Sequence, residues 1–189
     1  MLVLNFDPFP QLKTERLLLR RINKNDSAEI FFLRSDPQVL QYIGRTPAET
    51  IQDAEDFIRQ INHGIDSNEI IMWGIALRNE PDQLIGTICF WQIRKEHFRA
   101  EVGFVLHPFY WRKGIMKEAL VKVVEYGFQK MRLHSIDANV ASDNKASALL
   151  LESAGFVKEA YFKGDYFFNG KFYDTIVYSC LQNKYDDHS

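Results

Sequence analysis

The sequence predicts an α/β fold, with one mixed and mostly antiparallel sheet flanked by helices. Three observations carry this. Apolar, strand-like runs follow one another closely between residues 70 and 106, and connections that short cannot cross over, so neighbouring strands must be antiparallel. Residues 98–140 instead read strand, helix, strand, the pattern of a right-handed crossover between parallel strands. The chain has 189 residues, 46 % of them apolar, enough for one well-filled domain and too few for two. A single domain over 1–189 is expected, its core spanning about 14–181.

The elements can be justified in order. Residues 14–21 (TERLLLRR) are apolar and extended, a first strand. Asn25 or Asp26 can cap a helix running to about Arg34, with Ile30, Phe31 and Leu33 on its apolar side. Thr46-Pro47-Ala48-Glu49 offers a cap, a proline at the first helical position and an early acid. It is read as starting a second helix to about His63, with Ile51, Ala54, Phe57, Ile58 and Ile61 on one face. Strands follow at about 70–77, 83–93 and 98–106. From Gly114 a helix shows Met116, Ala119, Leu120, Val123, Val124, Gly127 and Met131 at three- and four-residue intervals. A strand at 135–140 leads to a short helix at 145–154, which Gly155 is suited to end in a left-handed conformation. The last strands, 156–162 and 171–181, meet through Asn169-Gly170, a strong hairpin signal.

Composition excludes several classes. The 23 basic and 25 acidic side chains leave a net charge of −2, so no general basic field exists to hold nucleic acid. No apolar run approaches the eighteen or so residues of a membrane span. The start, MLVLNFDPFP, lacks a basic leader and reads as no signal peptide. Cys89 and Cys180 are far apart in strand-like segments and read as buried thiols of a cytoplasmic protein. The five histidines show no ligand spacing, so no metal is assigned.

The most informative segment is Phe109-Tyr110-Trp111-Arg112-Lys113-Gly114-Ile115-Met116, which joins a strand to a helix start. The first N–H groups of a helix lack internal partners, and the dipole places partial positive charge there. Gly114 lets the backbone approach an anion without a Cβ, and Arg112 and Lys113 add charge. Phosphate binding and a merely basic turn both fit. Neither G-x-x-x-x-G-K-[ST] nor G-x-G-x-x-G is present, which sets aside nucleotide P-loop and dinucleotide readings.

Taken together, TERLLLR, AEVGFVLHPFYWRKGIMKEAL, NKASALLLESAGF and FFNGKFYD resemble, in order and spacing, the GCN5-related N-acetyltransferases. Within that superfamily they look like the branch of ribosomal-protein N-terminal acetyltransferases. The resemblance covers nearly the whole chain. It implies a sheet with a central splayed pair of parallel strands and acetyl-CoA as cofactor. Trp111, Arg112, Lys113, Gly114, Ile115 and Met116 would hold its pyrophosphate. The short superfamily signature is met only in part, with Trp111 at its first position, Gly114 matching and Met116 at its last. The pantetheine arm would lie between the splayed strands, against the backbone of Phe104, Val105 and Leu106, with Asn139 and Asn144 flanking the cleft. Asn144 can equally cap its helix.

The same resemblance implies roles for a base and for a group near the leaving thiolate. Glu101 stands in the A-E-V context of a catalytic glutamate; pairing with Arg99 or Arg94 is its structural alternative. Many relatives carry a tyrosine where this chain has Leu151. Ser147, one turn earlier, would then hydrogen-bond the thiolate, or else simply pack as a small helix residue. Tyr42, Trp73, Trp91 and Tyr166 could wall the acceptor mouth or belong to the core. The expected reaction is direct acetyl transfer to a primary amine, with a protein or peptide N-terminus as the favoured acceptor. A polyamine or amino acid is the alternative, and a non-catalytic acyl-CoA-binding module the rival. No nucleic-acid or membrane partner is expected, and a homodimer is left open.

Overall fold

Eight strands form one sheet in the computed structural model, which describes residues 1–182. They are β1 (Leu12–Lys13), β2 (Leu17–Arg20), β3 (Ile71–Leu77), β4 (Glu80–Arg94), β5 (Arg99–Leu106), β6 (Ser135–Ala141), β7 (Val157–Phe168) and β8 (Lys171–Leu181). Their spatial order is β1-β2-β3-β4-β5-β6-β8-β7. Every neighbouring pair is antiparallel except β5 and β6. The helices are α1 (Ser27–Ser35), α2 (Pro37–Leu40), α3 (Ile51–Asp66), α4 (Ile115–Gln129) and α5 (Lys145–Ser153).

The parallel pair is the feature that positions the site. β5 and β6 are in register only at Arg99↔Ser135, Ala100↔Ile136 and Glu101↔Asp137. Past Glu101 the two strands part, β5 running on to Leu106 and β6 to Ala141. Each keeps its outer partner throughout, β5 with β4 and β6 with β8. The sheet therefore opens in its middle without losing either half.

Helix α4 crosses from β5 to β6 and explains why the opening is stable. Its Ala119, Leu120, Val123 and Val124 are fully buried, with Met116 and Phe128 nearly so, in a core shared with Trp73, Phe90 and Ile136. Burial of each large apolar side chain contributes about 1.5–3 kcal/mol. A second cluster joins Ile30 and Leu33 of α1 to Ala54 and Ile58 of α3, over Ile22 and Leu84. The hairpin signal holds: Asn169 and Gly170 both have positive φ, 48° and 77°, which suits the tight turn joining two twisted strands.

Some boundaries differ from the sequence reading. Helix α3 begins at Ile51 and is capped by Thr50, not Thr46. The Thr50 hydroxyl accepts from the Asp53 N–H, while the Asp53 carboxylate accepts from the N–H groups of Thr50 and Glu49. That reciprocal box satisfies otherwise orphaned donors. Meanwhile the Ala48 N–H donates to Arg34 O, tying the Pro47 segment to α1 instead. The short helix α2, capped by Asp36 through Gln38 N and Val39 N, and the brief strand β1 were not expected. Strand β7 extends to Phe168, beyond the expected 162, across a register shift between Phe162 and Tyr166. Among the described residues, no helix is long and apolar enough to cross a membrane.

Candidate active site

A cavity of about 1340 Å³ occupies the place where β5 and β6 part. Its walls bring together Glu101, Phe104 and Val105 of β5, Asn139 of β6, and Asn144 and Ser147 at the start of α5. Tyr42, Trp91 and Tyr166 line it too, each roughly two-fifths exposed. The Tyr166 hydroxyl donates to Gly44 O, which closes the β7–β8 arm onto the loop after α2. Trp73 does not belong there. It is fully buried, its indole N–H donates to Pro10 O at 2.7 Å, and it packs edge-on against Phe90 and Tyr126. Its place in the middle of β3 turns it into the core.

Glu101 is the last residue of β5 that pairs with β6, and it is 9 % exposed. Burial raises its pKa from the usual 4.5 to about 7, and repulsion from Asp137 adds to that. Hydrogen bonds from Trp91 and Asn139, and the positive charge of Arg94, pull the other way. The Asn139 amide donates to Glu101 Oε2 at 2.9 Å. Arg99 is not its partner: that guanidinium is committed to Asp137, with Nη2 donating to Oδ1 at 2.7 Å. A carboxylate that titrates near pH 7, held by neutral donors and without a tight ion pair, is suited to accept and release a proton. A second cavity of about 300 Å³ reaches Glu101 from the side of Arg94, Arg99 and Asp137.

On α5 both readings of Asn144 meet. Its side chain accepts from Ser147 N at 3.1 Å, the capping bond, and the residue also lines the cavity. Cap formation holds Ser147 at the N-terminal end of the helix, on the cavity wall. Leu151 is sealed in the core at 0 % exposure, so the position where the family resemblance implies a tyrosine contributes packing here. Cys89 lines the same cavity, donates to Gly103 O and has its thiol pushed up to about 12 by burial. A thiol that stays protonated is a poor nucleophile.

The basic turn lies beyond the cavity wall, at the far end of β5. Gly114 has φ +74° and Arg112 +60°, and α4 begins immediately afterwards at Ile115. Left-handed residues on either side of Lys113, directly before a helix start, form a turn suited to presenting backbone N–H groups to an anion. Ile115 and Met116 bury their side chains, so only their backbone can serve a ligand. Trp111 is a brace: its indole N–H donates to Leu106 O at 2.7 Å, occupying the carbonyl expected to face the pantetheine arm. Phe104 and Val105 remain on the cavity wall.

Sequence reading missed Arg16, which fixes the turn. Its Nη1 donates to Lys113 O at 2.9 Å and its Nε to Glu118 Oε2 at 2.6 Å, and Thr14 donates to the same carboxylate. The TER segment thus locks the turn to the first turn of α4 over a sequence gap of about a hundred residues. Arg34, Arg45 and Cys89 also line the cavity unforeseen. No local periodicity or spacing marks them, because the fold brings them together from α1, a loop and β4.

The turn, the open strands and the buried glutamate together suit a donor with a pyrophosphate and an amide-containing arm, and the comparisons agree. A model of the acetyltransferase (GNAT) domain matches residues 16–157. The chain is 40 % identical over 174 residues to an uncharacterized N-acetyltransferase, YoaA, of Bacillus subtilis (strain 168), covering 92 % of this chain and 98 % of that protein. Among solved structures, the spermidine N-acetyltransferase from Vibrio cholerae in complex with CoA and spermine superposes with a TM-score of 0.81. Identity is 26 %, over 91 % of this chain and 99 % of that one. The ribosomal-protein-S5-alanine acetyltransferase from Vibrio fischeri also gives a TM-score of 0.81, at 25 % identity over 93 % and 98 %.

Proposed function

The chain belongs to the GNAT acetyltransferase family, and we propose that its acceptor is the α-amino group of a protein or peptide. It is an N-acetyltransferase, and acetyl-CoA, the donor of this family, supplies the acetyl group as a reactive thioester when bound. The observation that supports the acceptor assignment is Glu101 itself, buried where the sheet opens, held by Asn139 and raised by burial to about 7. An α-ammonium titrates near 8 and an alkylammonium of the lysine kind near 10.4. Proton transfer to Glu101 is therefore uphill by about one unit in the first case and about three in the second.

In this reading Glu101 takes the proton of the acceptor amine, with Asn139 orienting its carboxylate. The second cavity gives that proton a way out past Asp137 and Arg99. Backbone N–H groups on the side of β5 that β6 leaves free polarise the reacting carbonyl. Ser147 donates a hydrogen bond toward the departing sulfur, at the N-terminal end of α5, where partial positive charge favours an anion. Arg112, Lys113 and the Gly114 backbone hold the pyrophosphate.

A small-molecule amine is the second reading, supported by the likeness to the Vibrio cholerae spermidine enzyme. A panel of N-terminal peptides, amino acids and polyamines, read by release of free CoA, decides between them. Turnover on peptides at lower KM than on any polyamine supports the α-amino reading. Preference for a polyamine overturns it, and CoA release from none of them favours a non-catalytic binding module.

A further inference from the structure

Arg34 on α1 and Arg45 on the loop after α2 both line the large cavity. Among the described residues, neither has a carboxylate within ion-pair distance. The Arg34 guanidinium rests on the Phe57 ring, 3.8 Å from its centroid. Burial and then repulsion from Arg45 lower its pKa to about 10, with Asp53 opposing. Arg45 is lowered as well, first by burial, and the groups that oppose this are Cys89 and Tyr166, neither a carboxylate. Two half-buried like charges facing one cavity are unfavourable unless an anion joins them. Planar guanidinium forks are also the side chains best matched to a carboxylate.

Geometry ties this pair to the reacting centre. Cys89, on the cavity wall, lies within electrostatic reach of both Glu101 and Arg45. All three line one cavity, so an acceptor with its amine at Glu101 and its other end at Arg45 would occupy it. The remaining cavity carboxylates, Asp143, Asp165 and Asp174, come from the α5 and β7–β8 side, and Asp174 is already engaged by Tyr161 and the Gly164 N–H.

We propose that Arg34 and Arg45 form an anion subsite, so that the acceptor is a primary amine carrying a carboxylate. This rests on the acetyl-transfer reading above and narrows it: two guanidiniums repel a polycation and hold an amino acid, or a peptide with an acidic residue near its N-terminus. In either source the chemistry is the same, an ammonium at Glu101 and a carboxylate at the arginines.

The test uses matched pairs. One arm compares free amino acids and dipeptides with their C-terminal amides. A second compares amidated peptides carrying Glu or Gln at the second position, and spermidine is the control. The carboxylate member of at least one pair should have a KM lower by roughly ten- to a hundred-fold, the worth of a charge-assisted bond. Arg45→Gln should close that gap, Arg45→Lys should restore part of it, and Arg34→Gln should narrow it. Acetyl-CoA binding by calorimetry reports that each variant is folded. Equal KM values within every pair, a preference for spermidine, or an unchanged gap in folded Arg45→Gln would overturn the subsite. Calorimetry of the same pairs in the presence of CoA separates the two ideas. Arg45-dependent binding of the carboxylate member without turnover would keep the subsite and sink the transfer reading. No difference in binding would sink the subsite.

Discussion

The Asn139 amide donates to Glu101 Oε2 at 2.9 Å at the point where β5 and β6 stop pairing. One residue from each parting strand is thus joined by a single side-chain bond across the mouth of the opening. The bond steadies the carboxylate without neutralising it, and burial keeps it titrating near 7.

Glu101→Gln should lower turnover by about 10²–10⁴ while leaving acetyl-CoA affinity close to wild type. In the wild type, kcat/KM for the amine should rise as pH passes through about 7, where Glu101 loses its proton. The variant should lack that inflection and follow only the neutral fraction of the amine, so its deficit shrinks at high pH. A pH–rate series on both proteins checks this; matching profiles would make Glu101 structural.

The same group makes stability depend on pH. Between its ordinary value of 4.5 and its folded value of about 7, the folded protein keeps a proton that the unfolded chain has released. Unfolding free energy therefore falls as pH rises through this window. Glu101→Gln removes that contribution. Urea midpoints at pH 5 and pH 8 should show the variant gaining on wild type at the higher pH, and a constant difference would contradict the burial argument.

Ser147→Ala removes one hydrogen bond to a developing anion, about 1.5–3 kcal/mol of barrier, or roughly ten- to a hundred-fold in turnover. The cap is made by the Ser147 N–H, not its hydroxyl, and alanine is the better helix former. Thermal melting should therefore hardly move. Full activity in this variant would remove Ser147 from the mechanism.

Gly114→Val places a β-branched side chain at φ +74°, its Cβ 3.3 Å from Arg16 Nη2. The left-handed conformation costs about 1–2 kcal/mol, so the apo protein should melt somewhat lower but remain folded. Acetyl-CoA, which should raise the wild-type melting temperature by mass action, should no longer do so. A wild-type ligand shift in the variant would remove the turn from donor binding.

Several elements follow from local information in the chain alone. The periodicity of α4, the Asn169-Gly170 turn, the short links between residues 70 and 106, and the crossover to β6 all follow from neighbouring residues. Together with the resemblance of four segments they led to the family, to Glu101, and to Asn139, Asn144 and Ser147 on one cleft. Tertiary structure alone decided what depends on residues far apart in the chain. Trp73 is core because β3 lies beneath α4, although its residue type suits a substrate wall equally well. Arg16 fixes a turn about a hundred residues away, and Trp111 braces that turn as well as bordering it. Arg34 and Arg45 face one cavity only because α1 and the loop after α2 converge there. Burial and electrostatic coupling are sums over these distant neighbours, which explains why a glutamate at a strand end shows its position in the sequence and its acidity only in the fold.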